Sequence, residues 1–286
     1  MKFLIQTFLF LVFSASAMFG AYENIQLHAH QGEFFLAPPN SWASVKKAFD
    51  LGSKYVEFDV GITNSGEMIC VHWDGELNAH WGITKTFADV TAEDIKNSKL
   101  SPSLPYASEY SDMKLNTLDQ ILAVTPKDGY LIVDVKRSNS VFPKKFDEAL
   151  QKAGLSRSNM IVPHWLINEF REISTEYDKA TYSIYFSSDP GTNPNQTAEF
   201  LIADAKRISP YIKIISVGQA GEGSLYLKKI GRDFVKKIKD AGFMFAAWTT
   251  DSPALAKKLI DEYEADIIYT NKAADMREKL GKPRER

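Results

Sequence analysis

The sequence is poor in three features that often determine a fold or a location. It contains one cysteine, Cys70, so no intramolecular disulfide can form and stability must come from the hydrophobic core. No apolar run reaches the length of about 20 residues that a membrane-spanning helix needs. Basic residues are not in excess, because 34 Lys and Arg stand against 36 Asp and Glu. We therefore expect no transmembrane segment and no nucleic-acid partner, and we expect Cys70 to be a small packed side chain.

The first residues have the pattern of a secretion leader. Lys2 precedes an apolar stretch from Phe3 to Phe13, and small residues including Ala15 and Ala17 follow. A basic start, a short apolar core and an A-x-A site are typical of a signal peptide. We expect a leader over residues 1–17, with its end between 17 and 21. Residues 22–286 would then form a single domain of a secreted or periplasmic protein.

Short apolar runs alternate with segments of helical period along the rest of the chain, and the hydrophobic content of 44% can bury a large core. The predicted strands are Ile25–His30, Tyr55–Val60, Tyr130–Lys136, Met160–Pro163, Thr181–Tyr185, Ile212–Val217, Phe243–Trp248 and Asp266–Thr270. The predicted helices are Ser41–Gly52, Thr117–Val124, Lys144–Ala153, Leu166–Tyr177, Thr197–Ser209, Leu225–Ala241 and Ser252–Glu264. Eight such units predict an α/β fold of the (β/α)8 TIM-barrel type. A doubly wound sheet is the alternative, but no glycine-rich nucleotide motif follows the first strand.

One interval, residues 61–129, is about twice as long as the others. It opens with the turn sequence Thr63-Asn64-Ser65-Gly66, and the strand-like stretch Met68–His72 follows. We predict a β-hairpin above the mouth of the barrel and then an irregular insertion over the active-site face.

Barrel enzymes carry their catalytic side chains at the carboxyl ends of the strands. Residues two apart on a strand share a face, so the polar residues at each strand end can point to one place. Those of the first three strands are His28, His30, Glu57, Asp59, Asp134 and Lys136.

The hairpin adds His72 to this group. A turn centred on Ser65 pairs Phe58 with His72 and Asp59 with Val71, which returns His72 to the carboxylates. Three carboxylates without thiolate or imidazole ligands favour a hard cation, Mg²⁺ or Ca²⁺. His30 and His72 would then act beside the metal as general base and general acid.

Each of these residues also has a structural interpretation. A Glu-x-Asp pair can be a surface or salt-bridge pair, and Lys136 can simply neutralise Asp134. His28-Ala29-His30 also fits the His-x-His of amidohydrolase-type barrels, unless His28 is a structural group inside the barrel. Aromatic residues of the insertion either pack it onto the barrel or form an apolar lip for a lipid substrate. They are Trp73, Trp81, Phe87 and Tyr106.

The spaced motifs resemble those of the glycerophosphodiester phosphodiesterases. The similarity includes His30-Gln31-Gly32, Ala37-Pro38-Pro39-Asn40-Ser41, Glu57-Phe58-Asp59-Val60, Val71-His72, Val133-Asp134-Val135-Lys136, Ala247-Trp248-Thr249 and Thr270-Asn271. This resemblance implies a barrel with an insertion after the second strand and a divalent metal on Glu57, Asp59 and Asp134. It also implies that His30 and His72 are the acid–base pair, that Lys136 holds a phosphate oxygen and that Trp248 lines the substrate cleft.

The chain departs from that family at four positions. Gln31 replaces an arginine, Pro39 a glutamate, Asp134 a glutamate and Asn271 an aspartate. Loss of the arginine removes a bidentate phosphate donor. Asp134 and Asn271 are more similar to the sphingomyelinase D-type phospholipases, whose catalytic loops carry disulfides that this chain cannot form.

Three hypotheses follow. The first is a glycerophosphodiester phosphodiesterase that releases glycerol 3-phosphate and an alcohol. The second is a phospholipase D-like enzyme that acts on lysophospholipid or sphingomyelin. The third is a secreted binding protein that keeps the barrel without turnover. The substrate is thus expected to be a small phosphodiester or a lysolipid.

Overall fold

The computed structural model describes residues 22–186, 197–218 and 225–284. The predicted leader lies outside these residues. None of the helices within them combines the length and the apolar character that a membrane crossing requires.

The fold is a closed barrel of eight parallel strands. Its strands pair in the order β1-β2-β4-β5-β6-β7-β8-β9, and β9 pairs with β1 to close the sheet. The strands are β1 (Gln26–Ala29), β2 (Tyr55–Ile62), β4 (Tyr130–Arg137), β5 (Met160–Pro163), β6 (Thr181–Phe186), β7 (Ile212–Gly218), β8 (Met244–Trp248) and β9 (Ile267–Thr270). The predicted TIM-barrel fold is confirmed.

Helices follow the strands and cover the outside of the barrel. They are α1 (Trp42–Asp50), α2 (Asp74–Trp81), α3 (Ala92–Asn97), α4 (Leu118–Ala123), α5 (Phe142–Ala153), α6 (Ile167–Ile173), α7 (Ala198–Ile208), α8 (Leu225–Asp240), α9 (Pro253–Tyr263) and α10 (Ala273–Lys279). The helix predicted over Leu166–Tyr177 was too long. Ser174 is extended, with φ −157°, so α6 ends before it and a 3₁₀ segment, Thr175–Lys179, follows.

A short antiparallel strand, β3 (Met68–Ile69), pairs with the far end of β2. The paired residues are Gly61 with Ile69 and Ile62 with Met68, a register that centres the turn on Ser65 as predicted. The strand predicted over Met68–His72 was too long, because the pairing ends at Ile69 and does not reach the predicted pairs of Phe58 with His72 and of Asp59 with Val71. β1 pairs with β2 only at Tyr55 and Val56, so the far end of β2 has a free edge on which β3 lies.

The segment after β3 is more ordered than the irregular insertion we predicted. It contains α2 and α3, and its apolar side chains form a cluster of their own beside α1. The buried members are Ala37, Ala43, Ile69, Val71, Leu77, Trp81, Ile83, Phe87, Val90, Leu100, Ala107, Met113 and Leu115. Helices of eight and six residues are too short for a periodic pattern to reveal them, and packing stabilises them instead.

The inside of the barrel changes from apolar to charged toward its mouth. An apolar layer fills the interior, and the side chains of Glu57 and Asp59 follow Tyr55 on the inward face of β2. The apolar layer consists of Ile132, Ile161, Ile214, Ala246, Ile267 and Tyr269. The carboxylates at the strand ends therefore lie above an apolar layer.

Gly32 allows the loop after β1 to turn tightly against α1. Its φ is +78°, and a Cβ there would lie 2.5 Å from the backbone carbon of Ser44. Its amide donates a hydrogen bond to the carbonyl of Glu57, 3.1 Å away. Both the backbone conformation and the close approach require glycine, which accounts for the glycine of the His30-Gln31-Gly32 motif.

We predict that Gly32→Ala lowers the free energy of unfolding by more than about 2 kcal/mol, because strain and overpacking add. Gly82→Ala is the matched control. Gly82 also has a positive φ, +66°, but a Cβ there meets nothing within 4 Å. Urea unfolding of both variants measures the difference, and equal losses would show that the contact with Ser44 costs nothing.

Candidate active site

Three carboxylates converge at the mouth of the barrel. Glu57, Asp59 and Asp134 each offer an oxygen, and these oxygens lie within 4.8 Å of one another. Glu57 and Asp59 are 2% and 1% exposed, whereas Asp134 is partly exposed. Asp59 and Asp134 are register partners on neighbouring parallel strands. Pairing of β2 with β4 therefore produces this acidic cluster.

Lys136 is the cation nearest the cluster. Its Nζ lies 2.8 Å from Asp134 Oδ2 and 2.9 Å from Asp59 Oδ1. Desolvation lowers the pKa of Lys136, but the two carboxylates outweigh that effect and raise it above its usual range. Burial, together with the charges of Asp59 and Asp134, raises the pKa of Glu57 well above its ordinary value. One lysine does not neutralise three carboxylates.

The cluster fits a divalent cation. Asp59 Oδ1 is buried and has no hydrogen-bond partner, because the approach of Lys136 is close but not aligned for a hydrogen bond. Two oxygens bound to one Mg²⁺ or Ca²⁺ can be up to about 5 Å apart, which accommodates the observed spacing. Three carboxylates and one ammonium group leave two negative charges that such an ion would balance.

Two amides orient Asp59. Gln31 Nε2 and Asn40 Nδ2 donate to Asp59 Oδ2 over 2.7 and 2.8 Å. The backbone amide of Gln31 donates to Glu57 Oε2 over 2.7 Å. Asn40 Oδ1 also accepts from the Asp59 amide. Gln31, which stands where the resemblance has a phosphate-binding arginine, thus contacts a carboxylate. Our sequence reasoning did not assign Asn40 to the site, although it quoted the motif that contains it.

His30 is held in one tautomer by Asn271 and Asp251. The Nδ2 of Asn271 donates to Asp251 Oδ2 over 3.0 Å, so its Oδ1 faces His30 Nδ1 at 2.7 Å. Because that oxygen only accepts, the neutral form of the ring has its proton on Nδ1 and its lone pair on Nε2. Nε2 lies 3.9 Å from Glu57 Oε2.

Sequence reasoning missed Asp251, three residues past the end of β8. The polar sequence that follows Trp248 was the available signal. Asn271 was noted only as a departure from the family, and its contact with His30 was not predicted.

His72 is exposed at the edge of the cluster. Desolvation lowers its pKa, and the negative charge of Asp59 opposes that shift. Its amide donates to Glu76 Oε2 over 3.0 Å, and burial raises the pKa of Glu76 to about 7. Glu76, at the start of α2, is a second residue that sequence reasoning missed.

Of the remaining candidates, Trp248 lies at the site and His28 does not. Trp248 lines a cavity of about 20 Å³ at the mouth together with His30, Glu57, Asp134 and Tyr269. His28 is fully buried, stacks on Tyr55 at 5.0 Å and has its pKa lowered to about 3 by desolvation. It packs inside the barrel, and the acidic cluster found among the described residues does not include it.

The aromatic side chains of the insertion differ in their exposure to solvent. Trp81 and Phe87 are buried in the cluster of the insertion, whereas Trp73 is 59% exposed.

Cys70 is fully buried, and burial raises the pKa of its thiol well above its ordinary value. A buried protonated thiol is a packed side chain and not a nucleophile.

A parallel barrel with acidic ligands at its mouth is the architecture of a class of phosphodiester-cleaving enzymes, and comparison with known proteins identifies the family. The model of the glycerophosphoryl diester phosphodiesterase family matches residues 30–274. The chain belongs to this family of phosphoric diester hydrolases.

Individual relatives are distant. An uncharacterized protein of Bacillus subtilis, YqiK, is 27% identical over 251 residues, which cover 86% of this chain and 94% of the relative. A glycerophosphodiester phosphodiesterase of Caldanaerobacter subterraneus is 26% identical over 126 residues, covering 44% of this chain and 50% of that one.

Solved structures share the fold. A phosphodiesterase of Oleispira antarctica, in complex with the product sn-glycerol-3-phosphate, has a TM-score of 0.70 at 18% identity, covering 89% of this chain and 96% of that one. The glycerophosphodiester phosphodiesterase of Thermotoga maritima has a TM-score of 0.63 at 18% identity, covering 89% and 97%.

We predict that the His30 ring in the native protein carries its proton on Nδ1, as ¹⁵N chemical shifts of the imidazole will show. Asn271→Leu removes the acceptor and should change the tautomer ratio about fivefold, since one hydrogen bond is worth about 1 kcal/mol. Asn271→Asp keeps an acceptor and should preserve the Nδ1 proton. A native ring protonated on Nε2 would contradict the assigned geometry.

Proposed function

We propose that this chain is a metal-dependent phosphodiesterase that hydrolyses glycerophosphodiesters to sn-glycerol 3-phosphate and an alcohol. The observation that carries the proposal is the buried convergence of Glu57, Asp59 and Asp134 at the barrel mouth. Family membership supports the reaction, and the product held by the Oleispira antarctica enzyme supports the substrate class.

The proposed cofactor is one Mg²⁺ or Ca²⁺ ion on the three carboxylates. When bound, it would stabilise the charge on the phosphoryl oxygens as a Lewis acid and would lower the pKa of the attacking water. Gln31 and Asn40 hold the Asp59 carboxylate in one orientation for this ion.

His30 is the proposed general base. In the neutral ring the Nε2 lone pair faces the acidic cluster, because Asn271 Oδ1 accepts a hydrogen bond from the N–H on the opposite nitrogen. It takes a proton from the attacking water as the new P–O bond forms, and the water oxygen stays on glycerol 3-phosphate. The resulting imidazolium is stabilised by Glu57 and by the negative end of the Asn271–Asp251 pair.

His72 is the proposed general acid. It lies between β3 and α2, where desolvation lowers its pKa and the charges of Asp59 and Asp134 oppose that shift. It donates a proton to the leaving alcohol as the old P–O bond breaks. Lys136 donates one hydrogen bond to Asp134 and forms an ion pair with Asp59, so its remaining N–H donors can serve a phosphate oxygen. Trp248 forms the apolar wall of the cleft.

We further propose that the barrel, residues 22–286, is one domain that acts outside the cytoplasm. The basic and apolar pattern of residues 1–17 supports export.

The proposal is tested by hydrolysis of glycerophosphocholine with Mg²⁺ or Ca²⁺. His72→Ala and Glu57→Gln should each lower kcat/KM by at least about 100-fold, because each removes a group that acts in the transition state. EDTA should abolish turnover in the native protein, and release of glycerol 3-phosphate is the measured product.

His80→Ala is the matched control. His80 lies eight residues after His72 on α2, and burial alone lowers its pKa, with no charged neighbour involved. Its variant should keep native turnover. Activity that survives both His72→Ala and Glu57→Gln would refute the site, and the absence of any turnover of glycerophosphocholine would refute the proposed substrate class.

A further inference from the structure

Large apolar side chains are exposed at one end of the barrel. Seven such side chains are more than a third exposed among the described residues, and two of them, Ile173 and Phe200, lie on outer helices. The other five lie between secondary-structure elements or at the start of a helix, where the chain leaves a strand. They form what we call the apolar rim: Phe35, Leu36, Trp73, Val141 and Trp165.

The topology places the apolar rim at the same end of the barrel as the acidic cluster. All eight barrel strands are parallel, so the loops that follow them emerge at the same end as Glu57, Asp59 and Asp134. Phe35 and Leu36 follow β1, Val141 follows β4 and Trp165 follows β5. Trp73 follows the hairpin strand β3, next to His72. Four separate segments thus contribute to the rim.

Lysines accompany the apolar rim. Lys272, just after β9, has its Nζ 4.4 Å from the centre of the Phe35 ring. Lys47 Nζ lies 3.4 Å from the Leu36 carbonyl, and its other contact, an ion pair with Glu109 at 3.7 Å, is exposed and weak. Apolar and aromatic side chains beside lysines match a surface of acyl chains and phosphate groups.

We propose that the apolar rim docks the mouth of the barrel on the surface of a lipid aggregate, from which lysophospholipid headgroups enter the site. This inference rests on the proposed function, because the same site must cleave the phosphodiester of the headgroup. A protein seated on the rim would cover the neighbouring acidic cluster. A lipid surface instead supplies the substrate through the face that it contacts.

The test uses the full chain and vesicles of phosphatidylcholine and phosphatidylglycerol in a sedimentation assay. The double variant Phe35→Ser/Trp165→Ser should bind vesicles about tenfold more weakly, because two aromatic side chains no longer leave water. Its turnover of lysophosphatidylcholine above the micelle concentration should fall by a similar factor. Its turnover of glycerophosphocholine, which is soluble, should be unchanged.

Ile173→Ser is the matched control, since Ile173 is exposed at the last residue of α6, at the opposite end of the barrel. It should bind vesicles like the native protein. The proposal is overturned if the native chain does not bind vesicles, or if Ile173→Ser weakens binding as much as the double variant. It is also overturned if light scattering shows a dimer that the double variant dissociates, which would make the rim a contact between copies of this chain. Vesicle binding without turnover of glycerophosphocholine would support docking and refute the proposed function.

Discussion

The site depends on an electrostatic imbalance that the barrel enforces. Pairing of β2 with β4 holds Asp59 beside Asp134, and period 2 adds Glu57 to the same face. Lys136 offsets only part of this charge. Burial of like charges is costly unless a counter-charge accompanies them, and the apolar layer below the cluster does not supply one. The divalent cation that we propose would balance this charge and would also supply the Lewis-acid chemistry.

The surrounding polar contacts follow from the same constraint. Gln31 and Asn40 donate hydrogen bonds from their side-chain amides to Asp59. Asn271 donates to Asp251 and accepts from His30. Two of the four departures from the family, Gln31 and Asn271, therefore contact candidate site residues directly. A neutral glutamine in place of arginine leaves Lys136 as the cation nearest the cluster, so in the reaction that we propose phosphate binding would rely more heavily on the ion and on that lysine.

Much of this arrangement could be predicted from local patterns. Alternation of strands and helices predicted the barrel, and period 2 brought Glu57 together with Asp59. Contacts that arise only from closure of the barrel could not be predicted. His30 meets Asn271 across 241 residues, where β9 returns to β1. The helices of the insertion were also missed, because α2 and α3 are short and depend on a packed cluster that no local period encodes.

The most direct test of the account is calorimetric titration of Ca²⁺ or Mg²⁺ into the chain after treatment with EDTA. The account predicts one ion per chain, and it predicts that Asp59→Asn, which keeps the shape of the side chain and removes its charge, abolishes this binding. A native chain that binds neither ion, or an Asp59→Asn variant that binds as the native chain does, would contradict it.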